Sequence, residues 1–220
     1  GYDEAIPRVL PAAEELANIC KTEHYEVVLH AGDMERVMPD LIWHQEDLRV
    51  GQCYPNYYIA RLASKFVKVV LSGAGGDELF GGYPWRYYRG IGGGGPDAYY
   101  RNYYDFWQRL VPDAEKNRLF RPDVVKRISG HSTFDVFMNV FSGHKFPLDR
   151  PEDYVNASLY FEAKTFLHGL FIVDDKLSMA HSLEVRVPFL DNDLVDLAMR
   201  LPVRYKLARL DEVARENENT

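Results

Sequence analysis

Phe66-Val-Lys-Val-Val-Leu71, running directly into Ser72-Gly-Ala-Gly-Gly-Asp-Glu-Leu-Phe-Gly-Gly-Tyr83, is the stretch on which the fold turns. Its first six residues form a nearly continuous apolar run ended by glycines, the pattern of a strand buried on both faces of a parallel sheet. The turn leads into a helix expected to start near Asp77, and Gly81-Gly82 one turn later implies a shaped loop rather than a long helix. Strand-to-helix turns of this kind are where parallel sheets bind ligands. Gly73, Gly75 and Gly76 permit positive φ and close approach of backbone N–H groups, and a helix N-terminus favours an anion such as phosphate. Asp77 and Glu78 place two carboxylates at the same mouth, which makes electrostatic sense when a divalent cation links them to a polyphosphate. The loop fits neither G-x-x-x-x-G-K-S/T nor G-x-G-x-x-G. The plain alternative is a strand-to-helix turn capped by Asp77.

Working outward, apolar residues at Ile6, Val9, Leu10, Ala13 and Leu16 predict a helix over Asp3–Ile19 with Asp3 as its cap. Tyr25-Glu-Val-Val-Leu29 reads as a short strand, Asp33 as the cap of a helix toward Trp43, and Asn56 as the cap of another through Ala63. From Tyr99 onward almost everything reads as helical. The expected fold class is therefore α/β: one partial domain with an α/β part over 1–90, carrying the glycine loop, and a helical part over 97–220. The four glycines Gly92–Gly95 follow no strand and read as a surface loop or a linker. Aromatics and arginines interleave from Trp85 to Arg109, as on a surface that stacks single-stranded nucleic acid. Yet Tyr99, Tyr103, Phe106, Trp107 and Leu110 keep helical spacing, which favours a core stripe.

The 220 residues are 46% hydrophobic and 27% charged, an ordinary globular balance that argues against general disorder. A net charge of -7 argues against broad nucleic-acid binding. No apolar run approaches the roughly 20 residues of a membrane helix, and no signal peptide is read at the start. Cys20 and Cys53 form neither a disulfide framework nor a C-x-x-C pair, so the expected setting is cytoplasmic.

A second constellation lies downstream, in Val173-Asp-Asp-Lys-Leu-Ser-Met-Ala180 and Leu183-Glu-Val-Arg-Val-Pro-Phe-Leu-Asp191. Asp174, Asp175 and Lys176 interrupt an apolar sequence, so they either pair or face a site. Lys176 is a candidate for holding an anionic intermediate as a compact point charge. Glu184 and Arg186 are candidates for pairing across a turn, and a structural network weighs evenly with function for Glu184 and Asp191.

Taken together and in this order, the two constellations resemble the synthetase domain of glutamine-dependent asparagine synthetases, and the flanking residues from Gly1 to Pro202 extend the similarity over nearly the whole chain. The resemblance implies a parallel sheet of the adenine-nucleotide α-hydrolase (PP-loop) type, incomplete here, followed by a mainly helical lobe. It implies an ATP-dependent, amide-forming ligase with ATP and Mg2+. The side-chain carboxylate of aspartate is activated as an acyl-adenylate and amidated by ammonia from an upstream glutaminase domain. It assigns Ser72, Gly73, Gly75, Asp77, Tyr83 and Arg186 to the nucleotide, Asp77 to magnesium and Lys176 to charge stabilisation; Gly82 also matches a motif position.

Three departures from the family pattern stand out. The loop S-G-G-x-D-S of an earlier strand is absent, as are the nucleophilic N-terminal cysteine and the glutaminase domain, so the 220 residues alone are expected to be a poor catalyst. Ala74 stands where the family places a catalytic glutamate; a methyl group cannot act as a base, and Glu78 is the nearest substitute. Ala74 leaves two alternatives open: a relative that activates another carboxylate, for β-lactam or peptide cyclisation, or a nucleotide-binding domain without turnover.

Overall fold

The structure, a computed structural model, describes residues 6–46, 53–88, 95–108 and 111–207. In chain order it gives α1 (Ile6–Cys20), α2 (Asp33–Gln45), α3 (Cys53–Ala63), β1 (Val69–Leu71), α4 (Gly76–Phe80), α5 (Pro84–Tyr88) and α6 (Gly95–Trp107). There follow α7 (Lys116–Leu119), α8 (Pro122–Ile128), α9 (Thr133–Val140), α10 (Pro151–Lys164), α11 (Phe166–Met179), β2 (Glu184–Arg186) and α12 (Asn192–Arg200). The strands β1 and β2 pair in one two-stranded parallel sheet. The described chain is thus mostly helical around a small parallel sheet, an incomplete α/β arrangement. No helix among the described residues is long and apolar enough to cross a membrane.

The chain divides into two compact units. The first holds the described residues up to Val70 together with Ile172–Val185. Its core is built from i, i+4 pairs, the spacing that puts two side chains on one helix face: Val37 and Leu41 on α2, Cys53 and Tyr57 on α3, Val173 and Leu177 on α11. The second unit holds Leu71–Phe171 and the described residues from Arg186 onward. One cluster there joins Tyr99, Tyr103 and Phe106 of α6 with Phe137, Phe141, Leu148, Ala157 and Phe161. Another joins Tyr87, Val155, Leu159, Val203 and Leu207. Both clusters draw on α10, which buries Val155, Ala157, Ser158, Leu159, Phe161 and Glu162 over most of its circumference while Glu152 and Lys164 stay exposed.

The favoured reading of the α6 stripe as core is borne out, while several other sequence expectations meet a different outcome. The aromatic stripe of α6 is core, with Tyr99 and Tyr103 essentially inaccessible, so its tyrosines are not a stacking surface; Leu110 and Arg109 lie outside the described residues. Tyr25–Leu29 is not a strand: nothing among the described residues pairs with it, Val28 is exposed, and the Tyr25 ring packs on Phe66 at 4.8 Å instead. The run 66–71 is a strand only over Val69–Leu71, and it is not buried on both faces, Leu71 being 73% exposed. Full burial of a strand needs a neighbour on each edge and a layer on each face; β1 has one neighbour among the described residues. The α2 cap is Gly32, in left-handed conformation, and Asp33 is the first helical residue, its carboxylate accepting from His30 N–H. Asn56 sits inside α3. Residues 184–186 form a strand within a stretch read as helical; the alternation Glu-Val-Arg-Val was its signal. The Asp3 cap lies outside the described residues, as do Gly92–Gly94, while Gly95 opens α6.

Candidate functional site

The glycine loop is shaped by two positions at which only glycine fits. Gly75 has φ of 95°, and a Cβ there would stand 2.8 Å from Leu190 Cδ2. At Gly82 a Cβ would run into the Asp77 side chain, so the Asp77 carboxylate lies over a bare backbone. The Gly81 and Gly82 amides both donate to the Asp77 carbonyl, at 2.8 and 2.9 Å, which closes α4 after five residues. One turn aligns few peptide dipoles, so the attraction for an anion rests on local N–H groups rather than on a macrodipole. At the loop's start, Ser72 N–H donates to the Arg186 carbonyl at 2.8 Å, and Ser72 Oγ accepts from Ala74 N–H at 3.2 Å.

The two adjacent acids face opposite ways. Asp77 is exposed, whereas Glu78 is 2% exposed and its Oε1 accepts the Tyr83 hydroxyl at 3.2 Å. The Tyr83 phenol is pushed well above its usual range, first by burial and then by the charges of Glu78 and Asp77. The Arg86 guanidinium lies 3.7 Å from the Tyr83 ring centroid and 4.4 Å from that of Phe166. Arg86 Nη1 pairs with Glu162 Oε2 at 3.2 Å, and the other oxygen of Glu162 accepts the Tyr103 hydroxyl at 2.7 Å. Burial pushes Glu162 up to about 7, against the lowering effect of Arg86 and the Tyr103 hydrogen bond. Glu162 and Arg86 are the residues that the sequence reading missed; their signal is a lone charge in each of the apolar runs Leu159-Tyr-Phe-Glu162 and Trp85-Arg-Tyr-Tyr88.

Ser72, Gly73, Gly75, Asp77, Glu78, Tyr83 and Arg186 all belong to the second unit, and Lys176 belongs to the first. Lys176, on α11, donates to the Gln45 carbonyl at 2.9 Å and to Glu46 Oε2 at 2.8 Å. A cation on the last carbonyls of α2 is favourable at a helix C-terminus, and the same ammonium draws the Glu46 carboxyl below its usual range. Half-buried Asp174 accepts from Asn56 Nδ2 at 2.9 Å, and burial raises its pKa. Asp175 is exposed. Asp191 is structural: its Oδ1 accepts from the N–H groups of Asp193 and Leu194 and caps α12.

The asparagine synthase family model matches residues 3–215, the glycine loop and the Lys176 segment included. The chain belongs to the asparagine synthase family. It is 27% identical to the glutamine-hydrolysing asparagine synthetase 1 of Bacillus subtilis over 94% of this chain and 36% of that protein. It is 31% identical to a putative glutamine-hydrolysing asparagine synthetase of Mycobacterium tuberculosis over 84% of this chain and 32% of that protein. The chain therefore spans about a third of the length of these relatives. No solved structure matches it.

For a member of the asparagine synthase family, the donor set around the loop bears on magnesium. No group of three or more His, Cys, Asp or Glu side chains that would cage a metal occurs among the described residues. Exposed Asp77 beside buried Glu78 offers one carboxylate rather than the expected pair. That suits Mg2+, which keeps several waters and is commonly held by one or two carboxylates and the phosphates of a substrate.

Proposed function

We propose that the protein is an ATP-dependent, amide-forming ligase of the asparagine synthetase kind, with the nucleotide at the Ser72–Tyr83 loop. The observation that carries this reading is the loop itself: a turn that requires Gly75 and Gly82, presenting one exposed carboxylate, in a chain matched by the asparagine synthase family model. A substrate carboxylate, with the aspartate side chain as first choice, attacks the α-phosphorus of ATP. Pyrophosphate leaves, and ammonia then displaces AMP from the acyl-adenylate to give the amide. Ser72 and Gly73 contact the nucleotide, Gly75 shapes the turn, and Arg186 adds a cation beside the loop. Asp77 would hold Mg2+, which neutralises charge on the leaving pyrophosphate when bound. Lys176 has, by the family resemblance, the role of stabilising phosphoryl or adenylate charge. Glu78, turned inward, serves a proton transfer only through the Tyr83 hydroxyl. The relatives are named as glutamine-hydrolysing, which supports a glutaminase domain upstream as the ammonia source. The reading includes a sheet of the adenine-nucleotide α-hydrolase type and a cytoplasmic setting, in keeping with two free thiols.

The test is ATP–pyrophosphate exchange with aspartate and a panel of other carboxylates, on the protein in its full natural length. Exchange should require Mg2+ and be abolished in Lys176→Ala and Asp77→Ala. Absence of exchange with every carboxylate would sink the adenylation claim, and an unchanged rate in Lys176→Ala would remove that residue from the site.

A further inference from the structure

Beneath the glycine loop lies a buried set of charges to which the proposed reaction assigns no task. Glu162 is completely inaccessible and Arg86 is 4% exposed. A buried ion pair is a weak stabiliser, because an apolar pair of similar volume serves a fold as well or better. The geometry here is specific beyond charge neutralisation. Both carboxylate oxygens of Glu162 are assigned, Oε1 to the Tyr103 hydroxyl and Oε2 to Arg86 Nη1, so the carboxylate has one orientation. It stands on α10, fourteen residues long and feeding both core clusters of its unit, while the loop stands on a three-residue strand and a five-residue helix. The guanidinium it orients lies against the Tyr83 ring at 3.7 Å, and the Tyr83 hydroxyl reaches Glu78 on α4.

We propose that Glu162 is a positioning residue for the nucleotide loop: through Arg86 it holds the Tyr83 ring, and through Tyr83 the Glu78 carboxylate that anchors α4 under the turn. The ion pair transmits the rigidity of the α6–α10 core to the one stretch that must keep a phosphate-binding shape. The planar guanidinium is essential, since it donates to the carboxylate and stacks on the ring at once; a lysine ammonium has no plane to stack. The catalytic part of this inference rests on the adenylation reading, whereas the structural hold does not.

The test compares wild type, Arg86→Lys and the apolar pair Arg86→Met/Glu162→Leu in the protein of full natural length. Hydrogen exchange is followed by mass spectrometry in the peptides covering 72–83 and in those covering α6 and α10. In both variants the loop amides should exchange about tenfold faster while the α6 and α10 peptides keep wild-type protection. The pyrophosphate-exchange kcat should fall by about 10- to 100-fold, with KM for ATP changed by less than about threefold, the signature of misplacement rather than lost binding. Arg86→Lys keeps the charge pair, so it decides the matter if the apolar double variant fails to fold. Wild-type loop protection in Arg86→Lys overturns the proposal, as does equal loss of protection in loop and core. If wild type shows no pyrophosphate exchange with any carboxylate, the adenylation reading fails while loop protection still decides the positioning role.

Discussion

Replacing Glu162 by glutamine should change how stability depends on pH, and the size of that change follows from the site. The carboxyl is wholly buried and is pushed from 4.5 to about 7 in the folded protein, burial being the larger cause and Arg86 and Tyr103 opposing it. A raised carboxyl pKa means that the folded state holds the proton more tightly than the unfolded one. Between the two values the native state binds more protons, so stability falls as pH rises through that window and then levels off. At 1.36 kcal/mol per unit, the full effect is about 3 kcal/mol, most of which falls between pH 5 and pH 8. Glutamine is isosteric with the protonated acid, and its carbonyl can still accept from Arg86, but it has no proton to lose. At pH 5 the wild-type carboxyl is itself neutral, so both proteins then set a neutral group against Arg86, and the pull of Arg86 on the ionised form is already contained in the folded pKa. The offset at pH 5 therefore reports the exchange of a neutral acid for an amide, and the slope of the difference reports the proton, the Arg86 interaction included. Urea unfolding followed by tryptophan fluorescence at pH 5, 6, 7 and 8 measures both, with Trp85 and Trp107 close to the site. The variant should gain about 2 to 3 kcal/mol on wild type across the series. A difference that stays constant with pH, within about 0.5 kcal/mol, would refute the argument, because Glu162 would then titrate alike in folded and unfolded chains.

Three further outcomes follow from the same geometry. Gly75→Ala should cost about 1–3 kcal/mol in urea unfolding, since it combines a left-handed φ with a 2.8 Å contact to Leu190, whereas Gly73→Ala, with no heavy atom within 4 Å of its Cβ, should cost less than about 1 kcal/mol. Asp191→Ala removes the two hydrogen bonds that cap α12 and should cost about 0.5–2 kcal/mol by the same measurement, with Asp191→Asn recovering most of it. If the proposed ligase reading holds, Ala74→Glu, which supplies the carboxylate the family resemblance implies at this position, should raise ammonia-dependent amide yield while leaving ATP–pyrophosphate exchange unchanged; equal yields would show that Ala74 does not limit the second step.

The elements legible in the sequence are those whose cause is local. The α6 stripe follows from Tyr99, Tyr103 and Phe106 at helical spacing, and the loop's closure from Gly81 and Gly82 on Asp77, although the side chain that crowds Gly75 is that of Leu190, more than a hundred residues on. Tyr25-Glu-Val-Val-Leu29 has strand composition, yet composition cannot supply a neighbouring strand, and none pairs with it among the described residues. The strand Glu184–Arg186 escaped notice for the converse reason: its partner Val69–Leu71 is more than a hundred residues away, and three residues carry too little periodicity to stand out. Glu162 is the extreme case. A lone acid ending the apolar run Leu159-Tyr-Phe reads as an irregularity until Arg86, 76 residues earlier, is found against it.

Asp77 and Glu78 show why adjacency is a poor guide to shared function. In sequence they look like a pair of ligands for one cation, since two carboxylates in succession otherwise repel. Once they enter a helical turn, consecutive side chains diverge by about 100°, so one loop surface cannot display both. α4 resolves the choice by packing: its inward direction is occupied by Glu78, 2% exposed and held by Tyr83, which leaves Asp77 to face outward over Gly82. The inward acid then requires a polar interior, and the cluster of Tyr83, Arg86, Glu162 and Tyr103 provides it. The burial of Glu78 and the buried ion pair thus belong to one design. The loop shows one carboxylate and turns the other inward, where Tyr83 and Arg86 link it to Glu162 on α10.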